Sequence, residues 1–285
     1  MKFALFGINV GPCADPETAM RIARAAEDGG LESVWTGEHV VLPDPRVAPS
    51  PAPPTLAFLD PAVALAYLAA GTRTIRLGTG IIILPQRNPV VLAKELASVD
   101  VVSGGRLLFG LGIGYLKPEF DALGIPFDRK GPRAVEYLEA MLALWTQPKP
   151  AYHGSFVSFA GVQAFPRPLQ QPHPPIIIGG HTPAAFRRAV THANGWYGFM
   201  MDPDATANAV EALRTLERRL DRPRALGRLE ISITPAAPVE VDVVWRYAAL
   251  GVDRLIFYPP ARTTEEAITF AHRVIETKRA FDAAA

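Results

Sequence analysis

Short apolar runs rich in β-branched residues alternate with longer stretches of helical periodicity along the whole chain. Several of the short runs, such as 81–84 and 176–178, are hydrophobic throughout, which is typical of parallel strands covered on both faces. The pattern predicts eight strands, at 3–9, 33–36, 75–83, 107–111, 176–178, 195–200, 229–234 and 254–258. It also predicts eight helices, at 16–28, 61–70, 89–102, 132–145, 183–192, 204–220, 241–249 and 264–281.

Capping signals support these helix positions. Asp15-Pro16 and Asp60-Pro61 each place an acidic cap before a proline at the first helical position, and Thr182-Pro183 repeats the device. Eight consecutive βα units favour a closed α/β (β/α)8 TIM barrel, whereas a doubly wound open sheet is the rival architecture. With no low-complexity linker and no internal repeat, the chain is predicted to form one domain, 1–285.

Two long insertions interrupt the alternation, one after the second predicted strand and one between the fourth and fifth. The first, 40–59, is too rich in proline for regular secondary structure. The second, 147–175, contains a predicted hairpin at 152–159 followed by a proline-rich stretch at 166–175. Long loops of this kind are usually functional, so both are expected to wall the substrate site.

Composition excludes several classes of protein. Lys plus Arg total 29 against 28 for Asp plus Glu, so no general attraction to nucleic acid or to an anionic membrane is expected. The single cysteine, Cys13, permits no internal disulfide and fits a cytoplasmic location. No apolar stretch approaches the roughly 18–20 residues of a membrane helix, and the N-terminus does not have the pattern of a signal peptide.

Glu38-His39 follows the second predicted strand, where residues of a barrel point into the active site. His39 is suited to proton transfer near neutral pH, although a loop-capping histidine is an equal alternative. The remaining histidines are scattered, and there is no HExxH motif or cysteine pair, so a metal site is not expected.

Three glycine-rich segments lie within predicted strands or directly at their ends. Segment 78–81 suggests a bulge or a close ligand approach, with barrel packing as the alternative. Segment 110–114 would expose backbone N–H groups to an anion. Segment 179–183 leads into a helix N-terminus suited to a phosphate, or is simply a capped turn. Met200 ends the sixth predicted strand, where it would face an aromatic ring or join the core.

These segments together resemble the luciferase-like monooxygenase superfamily, and in particular its F420-dependent oxidoreductase branch. The resemblance covers nearly the whole chain. Its pieces are, in order, Glu38-His39, 76–81, Asn88-Pro89, 103–107 with 110–114, Glu119-Phe120, 123–131, Leu144-Trp145, 168–180 and 251–254.

The resemblance implies roles for individual residues. His39 would be the catalytic histidine over the reactive face of the cofactor, and Gly80–Ile81 would be a non-prolyl cis peptide behind its ring. The remaining implied cofactor-binding residues are Glu38, Thr79, Gly112, Gly114, Tyr115, Ile178, Gly179, Gly180, His181 and Met200.

Two departures narrow the expected activity. The F420-dependent sugar-phosphate dehydrogenases of this branch carry glutamate where this chain has Tyr115, and a tryptophan soon after the histidine, where it has 40–43. A glucose-6-phosphate dehydrogenase is therefore not expected. The resemblance implies hydride transfer between F420 and a small organic substrate by a homodimer. The alternatives are an FMN-dependent two-component monooxygenase and a flavin-binding barrel without turnover.

Overall fold

A computed structural model describes residues 1–284 of the chain. The strands are β1 (Lys2–Phe6), β2 (Ser33–Thr36), β3 (Arg76–Thr79), β4 (Ile82–Ile83), β5 (Leu107–Gly112), β6 (Tyr152–His153), β7 (Ser158–Phe159), β8 (Ile176–Gly179), β9 (Gly195–Met201), β10 (Glu230–Pro235) and β11 (Arg254–Phe257). The helices are α1 (Pro16–Asp28), α2 (Pro61–Gly71), α3 (Pro89–Val102), α4 (Lys117–Ala122), α5 (Lys130–Thr146), α6 (Pro183–His192), α7 (Pro203–Arg219), α8 (Val241–Ala249) and α9 (Thr264–Ala284).

The parallel strands close into a barrel. Their order is β3, β2, β1, β11, β10, β9, β8, β5, and the pairing of β3 with β5 completes the ring. Leu77 pairs with Leu107 at this closure, and Phe109 pairs with Ile176 on the other side of β5. The predicted barrel is thereby confirmed, and the open doubly wound sheet is wrong.

The third predicted strand, 75–83, is broken into β3 and β4. The Gly80–Ile81 peptide between them is cis, as the resemblance implied. The Gly80 N–H donates to Thr36 O at 2.9 Å, and β4 then pairs with β5. Helix α4 was not predicted, because six residues are too few to show a helical period.

Alternating side chains divide the strands into two layers. Ala4, Trp35, Leu108, Ile177, Tyr197 and Ile256 fill the barrel interior, whereas their neighbours along each strand pack under the helices. Trp35 needs unusual room, because a Cβ on Gly78 would lie 2.3 Å from its Cδ2 and one on Gly110 would lie 3.3 Å from its Cζ3. For Gly78, the packing interpretation is confirmed.

A buried arginine closes the N-terminal end of the barrel. Arg254 is 0% exposed and donates to Glu32, Glu230 and Ser232, and its guanidinium carbon lies 5.5 Å from the centre of the Trp35 ring. The buried guanidinium is therefore neutralised by two carboxylates and hydrogen-bonded to a hydroxyl.

The segment 147–175 runs along the outside of the barrel, and the expected substrate wall is contradicted only for its proline-rich stretch 166–175. The predicted hairpin forms as β6 and β7, but it packs against α5, where Glu136 accepts the Val157 N–H at 2.9 Å. Gln170 in the following proline-rich stretch donates to Asp100 at the end of α3, at 2.7 Å. The contact with Asp100 lies away from the carboxyl ends of the strands, since α3 ends at the opposite end of the barrel. The tip of the hairpin instead reaches the start of α5, where Arg129 Cζ lies 4.7 Å from the centre of the Phe156 ring, and a wall role for the hairpin stays a prediction.

Within residues 1–284, no helix is long and apolar enough to span a bilayer.

Candidate functional site

The carboxyl ends of the barrel strands bring together most of the residues singled out in the sequence. Glu38 and His39 follow β2, Gly80–Ile81 separates β3 from β4, and Tyr115 follows β5. Gly180 and His181 follow β8. This is the end at which barrel enzymes place their active sites. It is called the mouth below.

Glu38 is buried and fully engaged by the protein. One carboxylate oxygen accepts the Ile83 N–H and the other accepts Arg87, whose guanidinium also binds Asp60 at 2.7 Å. Burial raises the pKa of the Glu38 carboxyl, and Arg87 opposes that shift. Glu38 thus fastens the end of β2 to β4 and α2, while its implied contact with a cofactor ring stays a prediction.

His39 is held between a carboxylate and a phenol. Its Nδ1 lies 3.3 Å from Glu119 Oε2, and its Nε2 lies 3.5 Å from Tyr115 Oη. The Glu119 carboxylate is buried and also accepts the Val40 N–H at 2.6 Å. Phe58 packs edge-on against the imidazole with ring centres 5.6 Å apart, so the end of the proline-rich loop 40–59 covers one side of His39.

Glycines make room for Ile81 at the top of the barrel interior. A Cβ on Gly112 would lie 2.0 Å from Ile81 Cδ1, and one on Gly179 would lie 3.0 Å from the same atom. Gly114 has a φ of 71°, and a Cβ there would lie 2.8 Å from Phe120. These glycines let three strand ends converge behind the mouth.

A bulge in β9 turns two successive side chains towards solvent. Gly198 pairs with Ile233 and Met201 with Pro235, so β9 has one more residue than β10 between these pairs. Phe199 and Met200 are 38% and 49% exposed, and Met200 has a φ of 53°. A positive φ at a non-glycine residue often marks a functional site.

His181 supports this bulge. Its Nε2 accepts the Phe199 N–H at 3.0 Å, which places the imidazole proton on Nδ1. Burial lowers the pKa of His181, so the ring is neutral near pH 7. The Nδ1–H of His181 is therefore free to donate a hydrogen bond to a group outside the bulge.

Aromatic side chains form an exposed rim around the mouth. Phe6 lies 5.2 Å from Phe199 and 5.4 Å from Tyr258, measured between ring centres. Tyr115 and Tyr258 are 48% and 38% exposed. Exposed aromatic surface at a strand-end opening is typical of a site for a planar, partly apolar ligand.

Two cationic side chains near the mouth have no acidic partner. Lys130 and Arg188 form no salt bridge with any residue of 1–284, and Arg188 Nε is buried without a hydrogen-bond partner there. The Lys130 Nζ lies 3.5 Å from the centre of the Phe127 ring and 5.9 Å from that of Phe120, and burial lowers its pKa. A Cβ on Gly131 would lie 3.5 Å from Arg188 Nη1. Both cations are thus available to an anionic ligand.

Two implied cofactor ligands point away from the mouth. The Thr79 hydroxyl is buried and forms both of its hydrogen bonds with Gly110. It donates to the Gly110 carbonyl at 2.7 Å and accepts the Gly110 N–H at 2.8 Å. The Ile178 side chain packs under the helices. Only the backbone of each residue is open to a ligand, and their roles stay predictions.

Sequence reasoning gave no role to Glu119, Arg87, Lys130 or Arg188. Glu119 is 1% exposed, and a charged residue buried beside a histidine is a functional signal, but burial is not visible in the sequence. Arg87 stands directly before the Asn88 cap of α3, where nothing indicates its pairing with Glu38.

No cluster of three or more metal-ligating side chains exists among the residues 1–284.

The model of the luciferase-like monooxygenase family matches residues 2–285. The chain belongs to this family. Family members are oxidoreductases and monooxygenases that use flavin-type cofactors, so the chain is an enzyme of that kind.

Relatives within the family carry different cofactors. An uncharacterised protein of Mycobacterium tuberculosis is 33% identical over 266 residues, covering 90% of this chain and 92% of that protein. The oxygenase component of a flavin-dependent trigonelline monooxygenase from Acinetobacter baylyi is 32% identical over 199 residues, covering 67% and 52%. The coenzyme F420-dependent tetrahydromethanopterin reductase of Methanopyrus kandleri superposes with a TM-score of 0.75 at 18% identity, covering 96% and 98%, and shows the fold.

Proposed function

We propose that this enzyme transfers a hydride between coenzyme F420 and a small organic substrate. The observation that carries the proposal is the pair of cations without acidic partners, Lys130 and Arg188, beside the aromatic mouth. F420 joins a planar ring to a side chain with a phosphodiester and several carboxylates, whereas FMN ends in one phosphate. Two separate cationic groups suit the longer anionic chain.

The residues at the mouth fit the ring as well as the tail. The aromatic rim offers flat apolar surface, and the side chain of Ile81 stands at the top of the barrel interior among glycines. Thr182 caps α6 by accepting the Ala185 N–H at 3.2 Å, which leaves the Ala184 N–H open at the helix N-terminus. An anionic group of the cofactor would be held there.

When bound, the deazaflavin supplies two-electron hydride chemistry and reacts poorly with oxygen. The protein contributes position, water exclusion and proton transfer. Phe58 and the rest of the loop 40–59 cover His39 from one side, and the β9 bulge presents Phe199 and Met200 from the other. His39 lies between Glu119 and Tyr115, where it can exchange a proton with the substrate side of the mouth.

A two-component monooxygenase that receives reduced FMN is the second candidate. The observation in its favour is the 32% identity to the flavin-dependent trigonelline monooxygenase across two thirds of this chain. A planar ring and one phosphate would occupy the same rim and the same helix N-terminus. The two candidates differ in the number of anionic groups that the site must neutralise, and in oxygen consumption.

Binding titrations distinguish the two candidates. Purified protein is titrated with F420 and, separately, with FMN, and quenching of Trp196 is followed because its indole donates to Gly180 O at the mouth. We expect saturable micromolar binding of F420 and at least tenfold weaker binding of FMN. Preference for FMN would replace the proposal with the monooxygenase, and binding of neither would overturn both.

Charge variants test whether Lys130 and Arg188 bind the anionic chain of F420. Arg188→Met and Lys130→Met should each weaken F420 binding about tenfold or more, since a hydrogen bond to a charged group contributes about 1.5–3 kcal/mol. Arg219→Met is the matched control, because this exposed arginine lies at the end of α7, at the opposite end of the barrel. Unchanged F420 affinity in both test variants would remove the argument for F420 over FMN.

The homodimer stays a prediction. Apolar side chains on the outer faces of α2 and α3 support it, because Val63, Val91 and Val102 are 64%, 54% and 58% exposed.

A further inference from the structure

The His39 imidazole is less exposed at the mouth than Tyr115, the hydrogen-bond partner of its Nε2. The His39 side chain is 8% exposed, covered by Phe58 on one side, whereas Tyr115 is 48% exposed. The group that a substrate meets first is therefore the Tyr115 hydroxyl, with His39 behind it.

Glu119 decides which imidazole nitrogen carries the proton. Its Oε1 is occupied by the Val40 N–H at 2.6 Å, so Oε2 is the atom that faces His39 Nδ1, at 3.3 Å. A carboxylate only accepts hydrogen bonds, which requires Nδ1 to be the protonated nitrogen. Nε2 is then a bare acceptor, 3.5 Å from Tyr115 Oη.

The Tyr115 hydroxyl carries a proton at neutral pH. Burial and the nearby Glu119 carboxylate both raise the pKa of Tyr115. The phenol can therefore donate to Nε2, and the three side chains line up from a buried carboxylate to an exposed hydroxyl. No other ionisable side chain within residues 1–284 is hydrogen-bonded to the His39 ring.

We propose that Glu119, His39 and Tyr115 form a proton relay, in which Glu119 is a positioning residue and Tyr115 is the catalytic residue that touches the substrate. The proposal rests on the proposed function. A substrate hydroxyl gives its proton to Tyr115 Oη while the phenol passes its own proton to His39 Nε2. The hydride from the same carbon goes to the deazaflavin, and the imidazolium formed is balanced by the Glu119 carboxylate. Carbonyl reduction runs the same steps backwards.

The substitution Glu119→Gln reverses the tautomer without changing the shape of the site. The glutamine oxygen must still accept the Val40 N–H, so its NH2 group faces Nδ1 and forces the imidazole proton onto Nε2. The phenol then finds no acceptor. Loss of a correct histidine tautomer costs up to about 10⁴-fold in hydrolases with a related triad. We expect turnover to fall about 10²-fold or more in Glu119→Gln and in Tyr115→Phe.

Nitrogen-15 NMR of the histidine rings, recorded without cofactor, provides a readout independent of activity. The wild-type spectrum should show the His39 proton on Nδ1, Glu119→Gln should show it on Nε2, and Tyr115→Phe should leave it on Nδ1. Glu139→Gln is the matched control, since Glu139 binds only the hydroxyl of Tyr152 on the hairpin. The His39 signals are identified by their loss in His39→Asn.

A wild-type spectrum with the proton on Nε2, or an unchanged tautomer in Glu119→Gln, would overturn the relay, and the wild-type spectrum tests it even if a variant fails to fold. A tautomer switch with unchanged turnover would likewise refute the catalytic relay. Failure of the wild-type protein to bind F420 in the titration would instead refute the proposed function. Failure of the relay and failure of the proposed function can therefore be told apart.

Discussion

The two ends of the barrel use their polar side chains in opposite ways. At the N-terminal end, Arg254 is fully buried and donates to Glu32, Glu230 and Ser232. Arg106 nearby is 9% exposed and donates to backbone carbonyls of residues 69, 72, 75 and 103. At the mouth, Lys130 and Arg188 have no such partners among residues 1–284, and aromatic rings are exposed.

This difference indicates that polar groups at the N-terminal end stabilise the barrel, whereas those at the mouth are available for function. A buried charge must be neutralised by the protein itself, or folding is disfavoured by several kcal/mol. Under the proposed function, groups at the mouth are left open for a ligand that would complete them. Substitutions at the mouth should therefore change turnover and ligand affinity, whereas substitutions at the N-terminal end should change the free energy of unfolding.

His39→Asn should reduce turnover about 10²–10⁴-fold while lowering the free energy of unfolding by no more than about 1–2 kcal/mol. The reason is that His39 bonds only to Glu119 and Tyr115 and does not support the core. The measurements are steady-state turnover, with a substrate found by screening alcohols and carbonyl compounds, and urea denaturation.

His153→Asn provides the control for His39→Asn. His153 lies exposed on the β6–β7 hairpin and contacts Ser158 only, so both turnover and stability should be unchanged. Full activity in His39→Asn would show that His39 is not the catalytic histidine, whereas absence of turnover in the wild-type protein would favour a flavin-binding barrel without turnover.

Arg254→Met should lower the free energy of unfolding by about 3–5 kcal/mol, because it leaves Glu32 without its ion-pair partner and Glu230 with Lys2 alone. F420 affinity of the folded protein should not change. In Arg228→Met, which breaks an ion pair with a 61% exposed arginine, the loss should stay below about 1 kcal/mol. Equal urea midpoints for the two variants would show that the N-terminal end does not carry the stability assigned to it.

The sequence predicted the scaffold better than the site, and particular elements show why. Helix α1 was predicted with its observed bounds, because the Asp15 cap and the apolar period are local signals. The break at Gly80–Ile81 was expected only through the family resemblance. The proline-rich stretch 166–175 was assigned to the wrong end of the barrel, because composition does not reveal which surface a loop covers.

Within the site, His39 and Tyr115 could be selected from their positions after strands, but their connection could not. Glu119 is 80 positions away from His39, and the two meet only because β2 and β5 both end at the mouth. Lys130 and Arg188 are selected as candidate cofactor ligands only by their missing acidic partners, which is a property of the folded chain.

Glu27→Gln tests the N-terminal end through pH. Burial alone would raise the pKa of Glu27, but the backbone N–H groups of Ile75, Thr74 and Arg73 outweigh it and lower the pKa to about 2, from 4.5. A lowered carboxyl pKa stabilises the fold above pH 4.5, and this contribution is lost as the pH falls towards 2. The variant should therefore be less stable by about 1–3 kcal/mol at pH 7, and the gap should narrow steadily as urea denaturation is repeated below pH 4.5. Glu17→Gln, at the exposed start of the same helix, should follow the wild-type curve. A difference in stability between wild type and variant that stays constant with pH would mean that the hydrogen bonds from the three backbone amides do not depend on the charge of Glu27.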